Sequence, residues 1–236
     1  MYKHLQIAGL TPLSTVDYPH LLASVIYTQG CPLRCGYCHN PHLIPAKKTL
    51  EELSWESVMD FLKQRVGFLQ GVVFSGGEPT LQGDLPHAVC EVRRLGFKLG
   101  LHTSGVYPKK LIHLMPYLDW VGLDVKALPE HYDRVCGRRG QAYRVDESLS
   151  ILQSSGCAYE VRITAHPLDC DEEMLRRLIE RVSRLGVQVC VIQVARGGQT
   201  LNRAYSQIKS PFDMNLLYQI VDELKVNFQS LSIREG

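Results

Sequence analysis

Short, nearly unbroken apolar runs recur along this chain and alternate with segments whose apolar positions return every three or four residues. The runs are LASVIYT (22–28), GVVFS (71–75), FKLGLHT (97–103), WVGLDV (120–125), AYEVRIT (158–164) and VQVCVIQV (187–194), with QSLSIRE (229–235) closing the pattern. Unbroken apolar runs of this length suit strands covered on both faces, where strict alternation is not required. Helical periodicity fills 51–66, 82–95, 143–155, 171–185 and 212–226, with a shorter stretch near 108–115. Several boundaries have chemical reasons. Asp171 is placed to cap the amphipathic segment EEMLRRLIERVSRLG, and Gly186, Gly96 and Gly156 stand where helices end in a left-handed residue.

Strand, helix, glycine, strand, repeated this often, predicts an α/β fold with a parallel sheet built from right-handed βα units. Six or seven strands are too few for a closed eightfold barrel. An open, partial barrel or a doubly wound sheet is expected, and either carries its site at the C-terminal ends of the strands. Five suggestive clusters stand there: three cysteines after 22–28, Ser-Gly-Gly-Glu-Pro after 71–74, His-Thr-Ser-Gly at 102–105, Asp-Val-Lys at 124–126 and Arg-Ile-Thr at 162–164. The pattern therefore predicts one shared rim.

Composition narrows the setting. With 236 residues, 45% of them apolar, a core can form without disulfide staples. A net charge of +2 and the absence of any long basic run, with Lys47-Lys48, Lys109-Lys110, Arg138-Arg139 and Arg176-Arg177 as isolated pairs, give no footprint for nucleic acid. No run approaches the roughly 20 apolar residues of a spanning helix, and the N-terminus has no sustained apolar region. The expected setting is the cytoplasm, away from membranes, where thiols stay reduced and eight cysteines suggest a metal before disulfides. Cys90 and Cys190, in apolar surroundings, read as small buried hydrophobes.

Cys31, Cys35 and Cys38, spaced C-x3-C-x2-C, are the one group with ligand spacing. Three thiolates could close a zinc site if His39 or His42 supplied a fourth ligand. They could equally hold an iron–sulfur cubane with one iron left open. Gly76-Gly77-Glu78-Pro79 could let a ligand approach the backbone, with Glu78 accepting from a cation, or could be a plain βα turn. Asp124 and Lys126 point the same way at a strand end and could clamp a zwitterion or neutralise each other. Arg162 calls for an anionic partner if buried. His102 and His166 are open to ligand, proton-carrier or structural roles. Tyr37 could shield a cluster or stack on an aromatic ligand, and Asn40 could form a turn before Pro41.

The cysteine spacing after a first strand and the Gly-Gly-Glu-Pro loop after a second resemble the radical S-adenosylmethionine (radical SAM) enzymes. The continuation YCHNP resembles the glycyl-radical-enzyme activases. STVDYP, TQGCPLRCGYCHNP, FSGGEPTLQ, VGLDVKA and SLSILQSSGCAYEVRITAHP resemble the activating proteins of anaerobic ribonucleoside-triphosphate reductase. The likeness runs from about residue 5 to 170 and weakens beyond. It implies a partial (βα)6-type parallel barrel in a single radical SAM domain over 1–236, with a cluster loop at 28–41. A 4Fe–4S cluster would sit on Cys31, Cys35 and Cys38, its open iron chelated by S-adenosylmethionine. Gly76, Gly77 and Glu78 would line the methionine end, with Glu78 near the ammonium. Asp124 and Lys126 would lie near the carboxylate and ribose, and Tyr37 and Asn40 would flank cluster and nucleoside. Ser104 and Arg162 complete the expected cofactor contacts. At the strand end carrying Ser104 the family often has Asp-Thr-Asn-Gly, where this chain has His102-Thr103-Ser104-Gly105.

The chemistry so implied is reductive cleavage of S-adenosylmethionine to a 5′-deoxyadenosyl radical, which takes hydrogen from a backbone glycine of the reductase. A low-potential donor such as flavodoxin or ferredoxin would supply the electron, and no side-chain nucleophile is required. The segment 194–211 departs from the family pattern and is a candidate for the partner-docking rim. Two other readings stay open: a radical SAM enzyme acting on a small molecule, for example in 7-deazapurine biosynthesis, and a non-catalytic zinc or iron–sulfur protein.

Overall fold

The structure, a computed structural model, describes residues 5–46, 53–195, 200–208 and 213–234. Its strands are β1 (Ile7–Ser14), β2 (Ala23–Thr28), β3 (Gly71–Gly76), β4 (Lys98–Thr103), β5 (Trp120–Asp124), β6 (Ala158–Ala165), β7 (Val189–Val194) and β8 (Ser230–Arg234). The helices are α1 (Trp55–Lys63), α2 (Leu85–Arg94), α3 (Pro108–Leu114), α4 (Pro129–Cys136), α5 (Ala142–Ser155), α6 (Glu172–Arg184), α7 (Arg203–Ser206) and α8 (Met214–Leu224). The strands follow one another in chain order within one sheet. β1 runs antiparallel to β2, whereas β2–β3, β3–β4, β6–β7 and β7–β8 are parallel. The order begins at β1 and ends at β8 without closing. This is the expected α/β class, an open βα array of the partial-barrel kind.

By contacts the chain divides into two interleaved compact units. The first comprises Met1–Pro32, His42–Gly122 and Arg144–Ala158. Its strands β2, β3 and β4 carry Val25, Ile26, Val72, Val73, Phe74, Leu99 and Leu101 fully buried, which is why their sequences read as continuous apolar runs. Tyr18 joins Ala23, Val25, Val73 and Trp120 in one cluster, its ring 5.3 Å from that of Trp120. A side chain at Gly71 or Gly100 would crowd the Tyr18 ring, at 3.2 and 3.1 Å. The STVDYP segment is thus a core plug as well as a turn, and Ser14 Oγ donates to Asp17 within it.

The second unit comprises Leu33–Pro41, Leu123–Tyr143 and Tyr159–Gly236. Here α6 turns Leu175, Leu178, Ile179 and Val182 inward, and Asp171 caps it by accepting the Met174 N–H. Arg176 reaches Glu223 of α8, and Arg177 reaches Glu130 of α4.

The periodicity missed β1, α4 and the single turn α7. β1 (IAGLTPLS) carries Gly9 and Pro12 and lies at the sheet's edge, where half its positions are only partly covered. α4 (PEHYDRVC) reads as polar. It is set by Pro129 at its first position and stopped by Gly137, which adopts a left-handed φ of 66°. The helix expected at 51–66 spans only Trp55–Lys63, because Ser54 caps it by accepting the Ser57 N–H. Residues 51–52, 212 and 235 of the expected elements, and 196–199 and 209–211 of the departing segment, lie outside the described residues. Cys190 is buried as expected, but Cys90 on α2 is only half-buried.

Candidate cofactor site

In the first unit, the ends of β2, β3 and β4 meet around Glu78. Gly77 N–H donates to Thr28 O at 3.0 Å and Glu78 N–H to Gly30 O at 2.9 Å. A Cβ on Gly76 would strike the Thr28 backbone, and one on Gly77 the Gly30 carbonyl. Gly76 also holds a φ of 120°, a value side chains rarely tolerate. The glycines therefore serve close backbone packing, and the N–H groups of Gly77 and Glu78 are already bonded.

Glu78 is 1% exposed. Its Oε1 accepts from Thr80 N (3.1 Å), Thr80 Oγ1 (2.6 Å) and Thr103 Oγ1 (2.7 Å). Its Oε2 accepts from both the N–H and the hydroxyl of Ser104. The carboxylate thus ties the β3 loop to the end of β4, and Ser104 is brought directly onto it. His102 is held between Ser75 Oγ (3.2 Å) and Asp17 O (2.8 Å), edge-on to Trp120, which gives it a structural place. Cys31 belongs to this unit, and its N–H donates to Ile44 O.

In the second unit, the remainder of the cysteine loop lies against the segment after β5. Arg34 N–H donates to Cys136 O at 2.8 Å, and Cys38 N–H to Cys35 O at 3.1 Å. Cys35 and Tyr37 are buried, Cys38 is half-buried and Asn40 is exposed. Lys126 extends its ammonium to Asp124 Oδ2 at 3.0 Å and stands 5.8 Å from the centre of the Tyr37 ring. Burial opposes the Lys126 charge, but Asp124, Tyr37 and Cys35 together hold its pKa well above the usual lysine range. Burial pushes the Cys35 thiol up, and Lys126 works against that shift. Arg162, expected to need an anion, finds it in Glu160: Nε to Oε1 is 2.7 Å, with both side chains buried. Arg234 of β8 contacts the same carboxylate. His166 lies against the Tyr205 ring at 4.5 Å, and burial lowers its pKa.

Sequence reasoning missed Thr80 and Thr103, the donors around Glu78, and Tyr205, which packs over Gly36. Both threonines fall inside the motif segments FSGGEPTLQ and His-Thr-Ser-Gly, but nothing in those segments marks them as donors to Glu78. Tyr205 falls in the segment least like the family.

A family profile described as the Radical SAM superfamily matches residues 25–178 of this chain. The chain belongs to the radical SAM superfamily. A relative from Methanocaldococcus jannaschii, provisionally named a glycyl-radical enzyme activating enzyme, is 32% identical over 189 residues, covering 75% of each chain. The PqqA peptide cyclase of Xanthomonas axonopodis pv. citri is 32% identical over 155 residues, covering 63% of this chain and 41% of its own. Among solved structures, Streptococcus suis SuiB bound to S-adenosylmethionine superposes with a TM-score of 0.69 at 17% identity. That match covers 90% of this chain and 49% of SuiB. This chain therefore spans about two-fifths of the cyclase and half of SuiB. As a radical SAM protein, its cofactors are a 4Fe–4S cluster and S-adenosylmethionine.

The residues present fit that pair. All eight cysteines are free thiols. The Tyr37 hydroxyl is buried and makes no hydrogen bond among the described residues, a cost that a bound acceptor such as cluster sulfide would relieve. Lys126 beside Cys35 offers a cation to an anionic cluster. Among the described residues, no group of three His, Cys, Asp or Glu is close enough to hold a single metal ion. A cubane, whose thiolates bind different irons, does not demand that closeness. No helix among the described residues is long and apolar enough to cross a membrane.

Proposed function

We propose that this protein is a radical SAM activase that generates a glycyl radical on anaerobic ribonucleoside-triphosphate reductase. The observation carrying this reading is the glycyl-radical activating relative that it matches at 32% identity over 75% of both chains. The sequence YCHNP after the third cysteine supports the same branch. When bound, the reduced cluster supplies the electron that cleaves S-adenosylmethionine to a 5′-deoxyadenosyl radical. The protein's part is to hold and orient. Cys31, Cys35 and Cys38 are the proposed thiolate ligands, with Tyr37 covering them and Asn40 beside the nucleoside. Gly76 and Gly77 line the methionine end. Glu78 organises that end through Ser104 and Thr103, and it contacts the ammonium only by sharing an oxygen those donors already use. Asp124 and Lys126 would hold the carboxylate and ribose. Arg162 acts from behind through its pair with Glu160. No general base is needed, because the hydrogen abstraction is homolytic. The partner's glycine loop, once docked, must exclude solvent and oxygen. A flavodoxin or ferredoxin is the proposed electron donor.

The peptide cyclase relative favours a second reading, in which the substrate is a peptide modified along its length. One anaerobic experiment separates the readings. Reconstituted protein, S-adenosylmethionine and dithionite are mixed with the reductase, and 5′-deoxyadenosine and the EPR spectrum are followed. The activase reading expects a glycyl doublet on the reductase. Deoxyadenosine without a doublet overturns it in favour of another radical SAM substrate, including a small molecule. Absence of deoxyadenosine would leave a non-catalytic metal protein.

A further inference from the structure

The segment 200–207 crosses the cysteine loop and is fastened to it. Leu201 N–H donates to Cys38 O at 3.0 Å, and Asn202 N–H to Gly36 O at 3.1 Å. Asn202 then caps the single turn Arg203–Ser206 by accepting the Ala204 N–H. That turn aims Tyr205 inward, while Leu201, Asn202, Arg203, Ala204, Ser206 and Gln207 stay exposed. The Tyr205 ring fills the space that a side chain on Gly36 would need, and it meets the Tyr37 ring edge-on at 6.4 Å. Its hydroxyl donates to Asp169 Oδ1 at 2.8 Å. Asp169 is 4% exposed and is itself held by Arg134, whose guanidinium donates to Oδ1 and to the Asp169 carbonyl, each at 3.1 Å. Asp169 Oδ2 has no partner among the described residues. Among the described residues, the carboxylate therefore depends on Tyr205 and Arg134 for its hydrogen bonds.

We propose that Tyr205 and Asp169 are positioning residues: they latch this strap over Gly36–Cys38 and so keep the cysteine loop in its cluster-holding conformation. This rests on the assignment of the cluster to Cys31, Cys35 and Cys38. Apart from buried Thr200, Tyr205 and the two backbone bonds, the strap has an exposed outer face. Loss of one charged hydrogen bond should therefore open it measurably. Glycine at position 36 belongs to the same device, because only a residue without Cβ admits the ring.

The test uses the full-length chain in two forms, with Tyr205→Phe as the main variant and Asp169→Asn as the second. In the cluster-free protein, hydrogen exchange is followed at the amides of Arg34, Cys38, Leu201 and Asn202. In the anaerobically reconstituted protein, iron release to a chelator and the EPR g-values of the reduced cluster are measured. Tyr205→Phe is expected to speed exchange at Cys38, Leu201 and Asn202, and also iron release, by about tenfold. It should also shift the g-values while the thermal midpoint of the cluster-free protein stays near wild type. The double variant should exceed neither single variant by more than about twofold, as expected of one latch. Unchanged exchange overturns the strap. Faster exchange with unchanged iron release and EPR overturns its role toward the cluster. If wild type binds no cluster, the cluster assignment falls, and exchange in the cluster-free protein still decides whether the latch exists.

Discussion

Two residues carry most of what can be tested singly. Glu78 gathers five donors on one buried carboxylate, and two of them, the Thr80 and Ser104 N–H groups, are backbone groups that cannot reverse polarity. Glu78→Gln turns one oxygen into a donor facing at least one of them. We expect a loss of about 3 kcal/mol, hence a thermal midpoint roughly 6–12 °C lower; a midpoint within a degree or two of wild type would contradict the network. Cys35→Ala tests the other half. Reconstituted variant should contain no 4Fe–4S chromophore and form no deoxyadenosine, while its far-ultraviolet circular dichroism matches wild type. A full cluster spectrum would remove Cys35 from the ligands. These residues were legible for different reasons. The cysteines, the glycines and Glu78 stand in tight motifs. Arg162 was readable as a charge needing an anion, but Glu160 as its partner was not, since the same i, i+2 spacing also suits a ligand contact. Tyr205 had no signal, because its partner Asp169 lies 36 positions away.

At the scale of elements, legibility followed burial. β2, β3 and β7, covered on both faces, appeared in the sequence within a few residues of their observed ends. β1 and α4 did not, because an edge strand broken by Gly9 and Pro12 and a short polar helix leave little periodicity. Helix ends were readable where a side chain enforces them, and α6 offers the measurement. Asp171 accepts the Met174 N–H at 2.8 Å, with Glu172 and Glu173 adding negative charge at the same positive end. Asp171→Ala should lower stability by about 1 kcal/mol, whereas Asp171→Asn, which can still accept that N–H, should cost much less. Urea midpoints with unchanged slopes would check both. Equal losses in the two variants would mean that charge, not the hydrogen bond, holds this helix end.

Across the whole molecule the eight thiols differ in burial, which bears on how a cluster could assemble on three of them. Thiolates, not thiols, bind iron. Cys31 and Cys38 are half-buried, as are Cys90 and Cys157 outside the loop, whereas Cys35, with Lys126 beside it, is buried like Cys136, Cys170 and Cys190. Burial drives Cys170 and Cys190 up to about 12, with Asp171 and Glu160 respectively adding to the shift. Neutral thiols sealed in the fold do not compete with the cysteine loop. The same shift makes stability depend on pH, with a definite sign. The unfolded Cys190 thiol ionises from its ordinary value of 9.0, but the folded one only near 12. Its contribution is therefore complete below pH 9 and declines as pH rises toward 12, because the unfolded chain releases its proton first. Each such thiol steepens the alkaline loss by at most about 1.4 kcal/mol per pH unit. Cys190→Ala subtracts a constant for the missing sulfur at every pH but removes that thiol's slope. Urea unfolding of the cluster-free protein below pH 9 and in steps above it should give a shallower alkaline decline for the variant than for wild type. Parallel curves would show that Cys190 ionises as readily in the folded chain as in the unfolded one, and that its burial does not keep it from metal.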